Sequence, residues 1–190
     1  IGIGISIFND NGYYLQFNSV SKYLLKNLFE DEKITIKGFN LKFAIKSLLV
    51  HGIQIKCKLF DVQIAYYLLQ PDLRNVLDLI TENYLGVFLK DEKSILGKGK
   101  TKTTFSNLKQ SVITDYACER ACAIFNLSKI LNKEMIDNGL IELFEQIETP
   151  LSKVLAKMEL EGIALDISMR VLDSDPYTMF SGVSEMTGEI

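Results

Sequence analysis

The chain opens "IGIGISIFNDNGYYLQF" (residues 1–17), and the reading of this stretch decides what kind of sheet the protein builds. Apolar and small residues alternate strictly over 1–8. A strand puts successive side chains on opposite faces, so Ile1, Ile3, Ile5 and Ile7 share one face and Gly2, Gly4 and Ser6 the other. A face of glycine and serine lets another backbone approach closely. "NDNG" (9–12) supplies residues that tolerate positive φ, so it predicts a hairpin turn, and "YYLQF" (13–17) returns as the second strand.

Downstream, helical spacing alternates with short strands. "SVSKYLLKNLFEDE" (19–32) predicts an amphipathic helix, "KITIKGF" (33–39) a strand, and "NLKFAIKSLLVHG" (40–52) a helix with a glycine stop. "CKLFDVQIAYYLLQP" (57–71) begins as strand and turns helical until Pro71. "DLRNVLDLITENYLG" (72–86) is a further helix. The polar, Lys- and Gly-rich run 90–104 predicts a surface loop. Two helices are expected after it, over about 106–133 with a break and over 136–161, followed by a last strand at 170–175 and a tail.

Composition sets bounds on function. The 190 residues are 47% hydrophobic and 24% charged, enough for one well-packed domain. A net charge of −3 confines any nucleic-acid contact to a local patch. Three cysteines without framework spacing suit a reducing, cytoplasmic setting. No apolar run is long enough to span a membrane, and no secretory leader is visible. Cys118 and Cys122, one helical turn apart, lack further Cys or His to complete a metal site and read as buried small residues. His51 reads as a helix-end residue. "GKGKTKTT" lacks the spacing of a phosphate-binding P-loop. Lys98, Lys100 and Lys102 within it could still touch phosphates, though a solvated loop is the simpler reading.

Six stretches carry a resemblance: "GFNLKFAIKSLLVHGI" (38–53), "LFDVQIAYYLLQP" (59–71), "LITENYLG" (79–86), "LGKGKTKTTFSNL" (96–108), "YACERACAIFNL" (116–127) and "IETPLSKVLAKMELEGIALD" (147–166). In order and spacing they resemble the 3′–5′ exonuclease domain of bacterial DNA polymerase I, a family A polymerase, over about four-fifths of the chain. The resemblance implies an α/β, RNase H-like (DnaQ-like exonuclease) fold, a mixed β-sheet flanked by α-helices. Residues 1–190 then form a single exonuclease-like domain.

The family begins with a strand bearing Asp-x-Glu, ahead of a strand like "IGIGISIF". Here "VLDSDP" (171–176) supplies that piece near the other end of the sequence. The order therefore resembles a circular permutation. Residues 1–166 run from the second strand to the C-terminal helices, and 169–190 hold the displaced first strand and hairpin loop.

Family members hold two Mg²⁺ or Mn²⁺ with four carboxylates and use them to cleave phosphodiesters. Carried over position by position, Asp173 matches the first ligand. Asp175 stands where Glu is expected, shorter by a methylene and so by about 1 Å. "NLKFA" puts Ala44 at the second ligand position, and "YACER" keeps Tyr116 but puts Arg120 at the third. An arginine carries no lone pair to offer a metal. A divalent ion roughly 6 Å away would be repelled by about 5 kcal/mol at an effective dielectric near 20.

The resemblance thus implies an inactive, structural exonuclease-like module with vestigial metal ligands and a vestigial Tyr116. No cofactor is expected, with Mg²⁺ or Mn²⁺ relevant only to residual activity. Its partner would be the polymerase portion of a DNA-directed DNA polymerase that serves replication and repair. DNA binding by the domain alone is expected to be weak, with Asn40 and the loop lysines as the possible contacts. The alternative is a proofreading exonuclease with altered metal ligands. Arg120 is expected to reach towards Asp173 or Asp175 and fill the space of the lost metal.

Overall fold

The computed structural model describes residues 2–8, 11–97 and 103–163. Strands β1 (Gly2–Phe8) and β2 (Asn11–Gln16) pair antiparallel, with Ile3 opposite Leu15 and Gly4 opposite Tyr14. Asn11 and Gly12, expected in the turn, already belong to β2, and a bulge between Ser6 and Phe8 absorbs the irregular register. The small face meets what it was expected to admit. A Cβ on Gly4 would collide with the Ala117 carbonyl, and one on Gly12 would lie 2.6 Å from the Cys118 Cβ. The long helix carrying Ala117 and Cys118 therefore lies almost directly on the strand backbones. On the opposite face Ile3 and Leu15 pack with Leu25 and Leu48, so this hairpin has helices on both sides.

Helix α1 (Ser19–Phe29) starts with a reciprocal cap. Asn18 Oδ1 accepts from the Val20 and Ser21 N–H groups at 3.0 Å each, and Ser21 Oγ accepts from the Asn18 N–H at 2.7 Å. The helix stops three residues short of the expected end. Glu30, Asp31 and Glu32 would crowd negative charge at a helix C-terminus, and Asp31 accepts from the Lys33 N–H instead.

Strand β3 (Thr35–Gly38), helix α2 (Leu41–Val50) and strand β4 (Lys58–Asp61) form a parallel β–α–β unit, with Gly38 opposite Asp61. Helix α3 (Val62–Leu69) follows at once and ends before Pro71, as its sequence implies. Helix α4 (Leu77–Leu85) begins five residues later than expected. Asn75 exchanges hydrogen bonds with Gln63, donating to its carbonyl at 2.8 Å, and this holds the preceding segment off the helix.

The stretch expected as a loop contains helix α5 (Glu92–Leu96), capped by Asp91 and stopped by Gly97, with Leu96 buried. A 3₁₀ turn follows at Phe105–Asn107. Helix α6 (Gln110–Asp137) is 28 residues long and has no break. Neither glycine nor proline interrupts it, and Ala123, Leu127, Leu131 and Met135 recur every fourth residue as a buried stripe. It ends where Gly139 takes φ 69° and the Leu140 N–H returns to the Met135 carbonyl.

The last helical stretch is α7 (Ile141–Leu143), a π-helical turn (Phe144–Glu148) and α8 (Thr149–Glu161). The widened turn precedes Pro150, which has no N–H to donate to the preceding turn.

The main core gathers Phe60, Val62, Tyr66, Ile80, Leu127, Leu131 and Phe144, joining β4, α3, α4, α6 and the π turn. One compact unit takes in Ile1–Leu160. Among the described residues the strands form two two-stranded ladders, one antiparallel and one parallel. The strand expected at 170–175 lies outside the described residues, as do Asp173, Asp175, Lys98, Lys100 and Lys102. No helix among the described residues is long and apolar enough to cross a membrane.

Candidate functional site

The second motif is placed by a buried acid that the motif reading did not single out. Asp61 ends β4 and caps α3 by accepting from the Gln63 N–H at 2.9 Å. The same carboxylate accepts from the Asn40 N–H at 3.1 Å and the Leu41 N–H at 2.6 Å, so it also caps α2, twenty residues back. Burial pushes its pKa up, and the backbone donors at the two helix starts oppose that shift. Asn40 sits at the cap of α2 with φ 55°, exposed, and its side chain makes no capping hydrogen bond.

One turn on, Ala44 packs against a cluster of Leu41, Ile45, Cys57, Leu59 and Ala156. A methyl in an apolar cluster takes the place of the acid expected there.

The third motif lies on α6, with Tyr116 and Arg120 one turn apart on the same face. The guanidinium stacks over the Tyr116 ring at 4.5 Å. Its Nη2 lies 2.9 Å from Asp78 Oδ1 on α4 and donates to the Lys90 carbonyl at 3.2 Å. Nε is buried and has no hydrogen-bond partner among the described residues. Glu119 accepts from the Lys90 N–H at 3.4 Å, so neighbouring α6 residues hold both polar groups of the Lys90 backbone. Phe105 packs on Tyr116 at 5.5 Å between ring centroids. Burial pushes the Tyr116 hydroxyl up in pKa, and the charge of Arg120 pulls it back.

Tyr116, Arg120, Asp78 and Phe39 line a cavity of about 370 Å³ with Asp91, Glu92 and Lys93 of the α5 region. Ala44 is not part of its lining.

The partner found for Arg120 is thus Asp78; the partners expected, Asp173 and Asp175, lie outside the described residues. Asp78 reads in sequence as an ordinary acid in the first turn of a helix, and nothing local signals an arginine 42 positions away. Asp61 does leave a trace, since an acid just ahead of an apolar helical run is a cap signature. Its second helix is a tertiary matter.

The donor set at these positions does not fit a divalent ion: Ala44 offers no oxygen, and Arg120 brings a fixed positive charge already engaged with Asp78. Among the described residues no group of three His, Cys, Asp or Glu side chains could hold a metal.

The family model described as "DNA polymerase I, ribonuclease H-like domain" matches residues 2–127. DNA polymerase I of Borreliella burgdorferi is 33% identical over 175 residues, covering 87% of this chain and 19% of the relative. That of Bacillus subtilis is 30% identical over 169 residues, covering 87% and 19%. The chain therefore spans about a fifth of the length of these relatives.

Among solved structures, the POL domain of Pol1 from M. smegmatis, complexed with DNA primer-template and dNTP, superposes with a TM-score of 0.66. It is 23% identical and covers 83% of this chain and 25% of that one. Brucella melitensis NrnC superposes with a TM-score of 0.59 at 19% identity, covering 77% of this chain and 68% of that one. Both likenesses speak to the fold. With well over half of its residues matched by the family model, this chain belongs to the DNA polymerase I ribonuclease H-like domain family, the 3′–5′ exonuclease-like domain of family A polymerases.

Proposed function

We propose that this domain keeps the exonuclease fold without the exonuclease chemistry and serves as a structural module for a polymerase portion. The observation that carries the reading is Arg120. At a position where the family places a metal ligand, this chain has a guanidinium stacked on Tyr116 and paired with Asp78. Two-metal phosphodiester cleavage needs negative oxygens on both ions, and a cation fixed at that place works against them. Ala44, packed among apolar side chains, supplies no replacement. Tyr116 then acts as the stacking surface for Arg120.

The reading is tested by incubating the chain with a 3′-labelled single strand in Mg²⁺ and in Mn²⁺. No shortening above buffer is expected. Degradation that disappears on Asp173→Ala would instead establish an exonuclease with altered ligands, and would end the structural reading. Calorimetric titration with Mn²⁺ gives a second check. No saturable binding is expected from the chain as it stands, and a gain is expected from the double variant Ala44→Asp, Arg120→Asp.

A further inference from the structure

We infer that Cys118 and Cys122 form a two-thiol site for one soft, thiophilic atom, and that its ligand class is a trivalent arsenical carrying a single organic group. The two cysteines lie one turn apart on α6, about 40° from each other around its axis and about 160° from Tyr116 and Arg120. The sequence reads them as buried small residues, but both are half-buried, and both are free. They line one cavity of about 430 Å³, to which Leu85, Val87 and Ala123 give an apolar wall. Gly12 lines it as well, and the close approach of β2 to the Cys118 Cβ there holds the roll of α6.

The spacing selects what the thiols can do. Residues one helical turn apart have Cβ atoms about 5–6 Å apart, whereas a disulfide needs about 3.5–4.5 Å. Closing one would deform α6, which runs unbroken through this region. An atom inserted between the sulfurs spans the difference, because two bonds of about 2.3 Å replace one of about 2.05 Å. Zinc and iron–sulfur clusters take three or four protein ligands, and among the described residues no group of three His, Cys, Asp or Glu could hold a metal.

Charge and volume choose among the soft centres that remain. Two thiolates on a monovalent ion leave a net negative charge in a half-buried place that Glu119 also lines. Two thiols on a monosubstituted arsenic(III) leave none. Burial pushes the Cys118 thiol up in pKa, and Cys122 and Asp115 add to the shift, so this group enters protonated. That suits the reaction with an oxide R–As=O. Both S–H protons pass to the oxygen, two As–S bonds form as the As–O bonds break, and water leaves. Arsenic stays trivalent, and nothing is oxidised or reduced. The organic group then fills the cavity against Leu85 and Val87, which a bare ion would leave open.

The test treats the reduced 190-residue chain with one equivalent of phenylarsine oxide, chases with excess glutathione, and reads the intact mass. One phenylarsenic group in place of two hydrogens is expected. It should survive the chase about tenfold longer on the folded chain than on the chain in urea, because the fold holds both thiols on one cavity. Cys118→Ser and Cys122→Ser should each lose the adduct, and Cys57→Ala should keep it. The adduct should also raise the melting temperature of the unaltered chain, since it binds the folded form more tightly. That readout needs no variant to fold. No adduct, an adduct that either serine variant retains, one that needs Cys57, equal survival in folded and unfolded chains, or an unchanged melting temperature would each overturn the assignment.

Discussion

At the scale of single residues, two charged side chains hold this domain in ways that differ in kind. Arg120 is a tertiary bridge from α6 to α4, with its side chain 19% exposed and that of Asp78 34%. Such a pair lies between an exposed ion pair, worth under about 1 kcal/mol, and a buried one, whose breaking costs about 3–5 kcal/mol. Arg120→Ala should therefore destabilise the domain by about 1–2 kcal/mol in urea unfolding. Adding Asp78→Asn to it should recover part of the loss, because the stranded acid is then neutral.

Asp61 carries more. Its carboxylate answers three backbone N–H groups at the starts of two helices, in a site 5% exposed. Asp61→Ala leaves those donors unmet and should cost about 3 kcal/mol or more. Asp61→Asn keeps one acceptor oxygen and buries no charge but turns its NH2 towards at least one of the backbone donors, so the expected loss is smaller than that of the alanine variant without vanishing. Equal losses would show that the capping geometry is unimportant.

Among elements, the contact between the β1–β2 hairpin and α6 is set by the absence of side chains. Gly4→Ala drives a methyl into the Ala117 backbone, which cannot move without α6 moving. Overpacking of this kind costs about 1–3 kcal/mol, so a lowered melting temperature with unchanged helical content is the expected result.

The link between α2 and α8 has a pH signature. Hydrogen bonds from Lys42 and Lys46 pull the Glu159 carboxyl down from its ordinary value of 4.5 to about 2. A depressed acid contributes stability that is fully present above its unfolded value and is lost as pH falls through the folded one. The α2–α8 link should therefore loosen between about pH 4.5 and about pH 2, and not at neutral pH. Carboxyl-carbon NMR of Glu159 reads this directly; a midpoint near 4.5 would mean that the lysines do not hold it.

For the whole molecule, the permuted order makes a separate claim. The resemblance to the family implies that "VLDSDP" (171–176) belongs ahead of residue 1. A chain in which 167–190 precede residue 1, with the remainder unchanged, should then fold to the same secondary-structure content and melt at the same temperature or above. A clear loss of stability in the rearranged chain would show that the resemblance of "VLDSDP" to the family's first strand has no structural counterpart.

Local chemistry determined most of the elements. Alternation marked β1 and β2, apolar periodicity marked the helices, and Pro71 and Gly86 mark two ends, because backbone preferences act within a few residues. The substitutions at the positions where the resemblance expects metal ligands were equally plain, since the side chains of Ala44 and Arg120 offer a metal no oxygen. Helix α5 escaped because five residues are too few to show a period. Only the tertiary structure decided what the charges do. It brought Asp78 to Arg120 across 42 positions, set Asp61 at two helix starts at once, and turned the apolar side of α8 outward. Each depends on which elements become neighbours, and that is settled by packing over the whole chain rather than by any local run of residues.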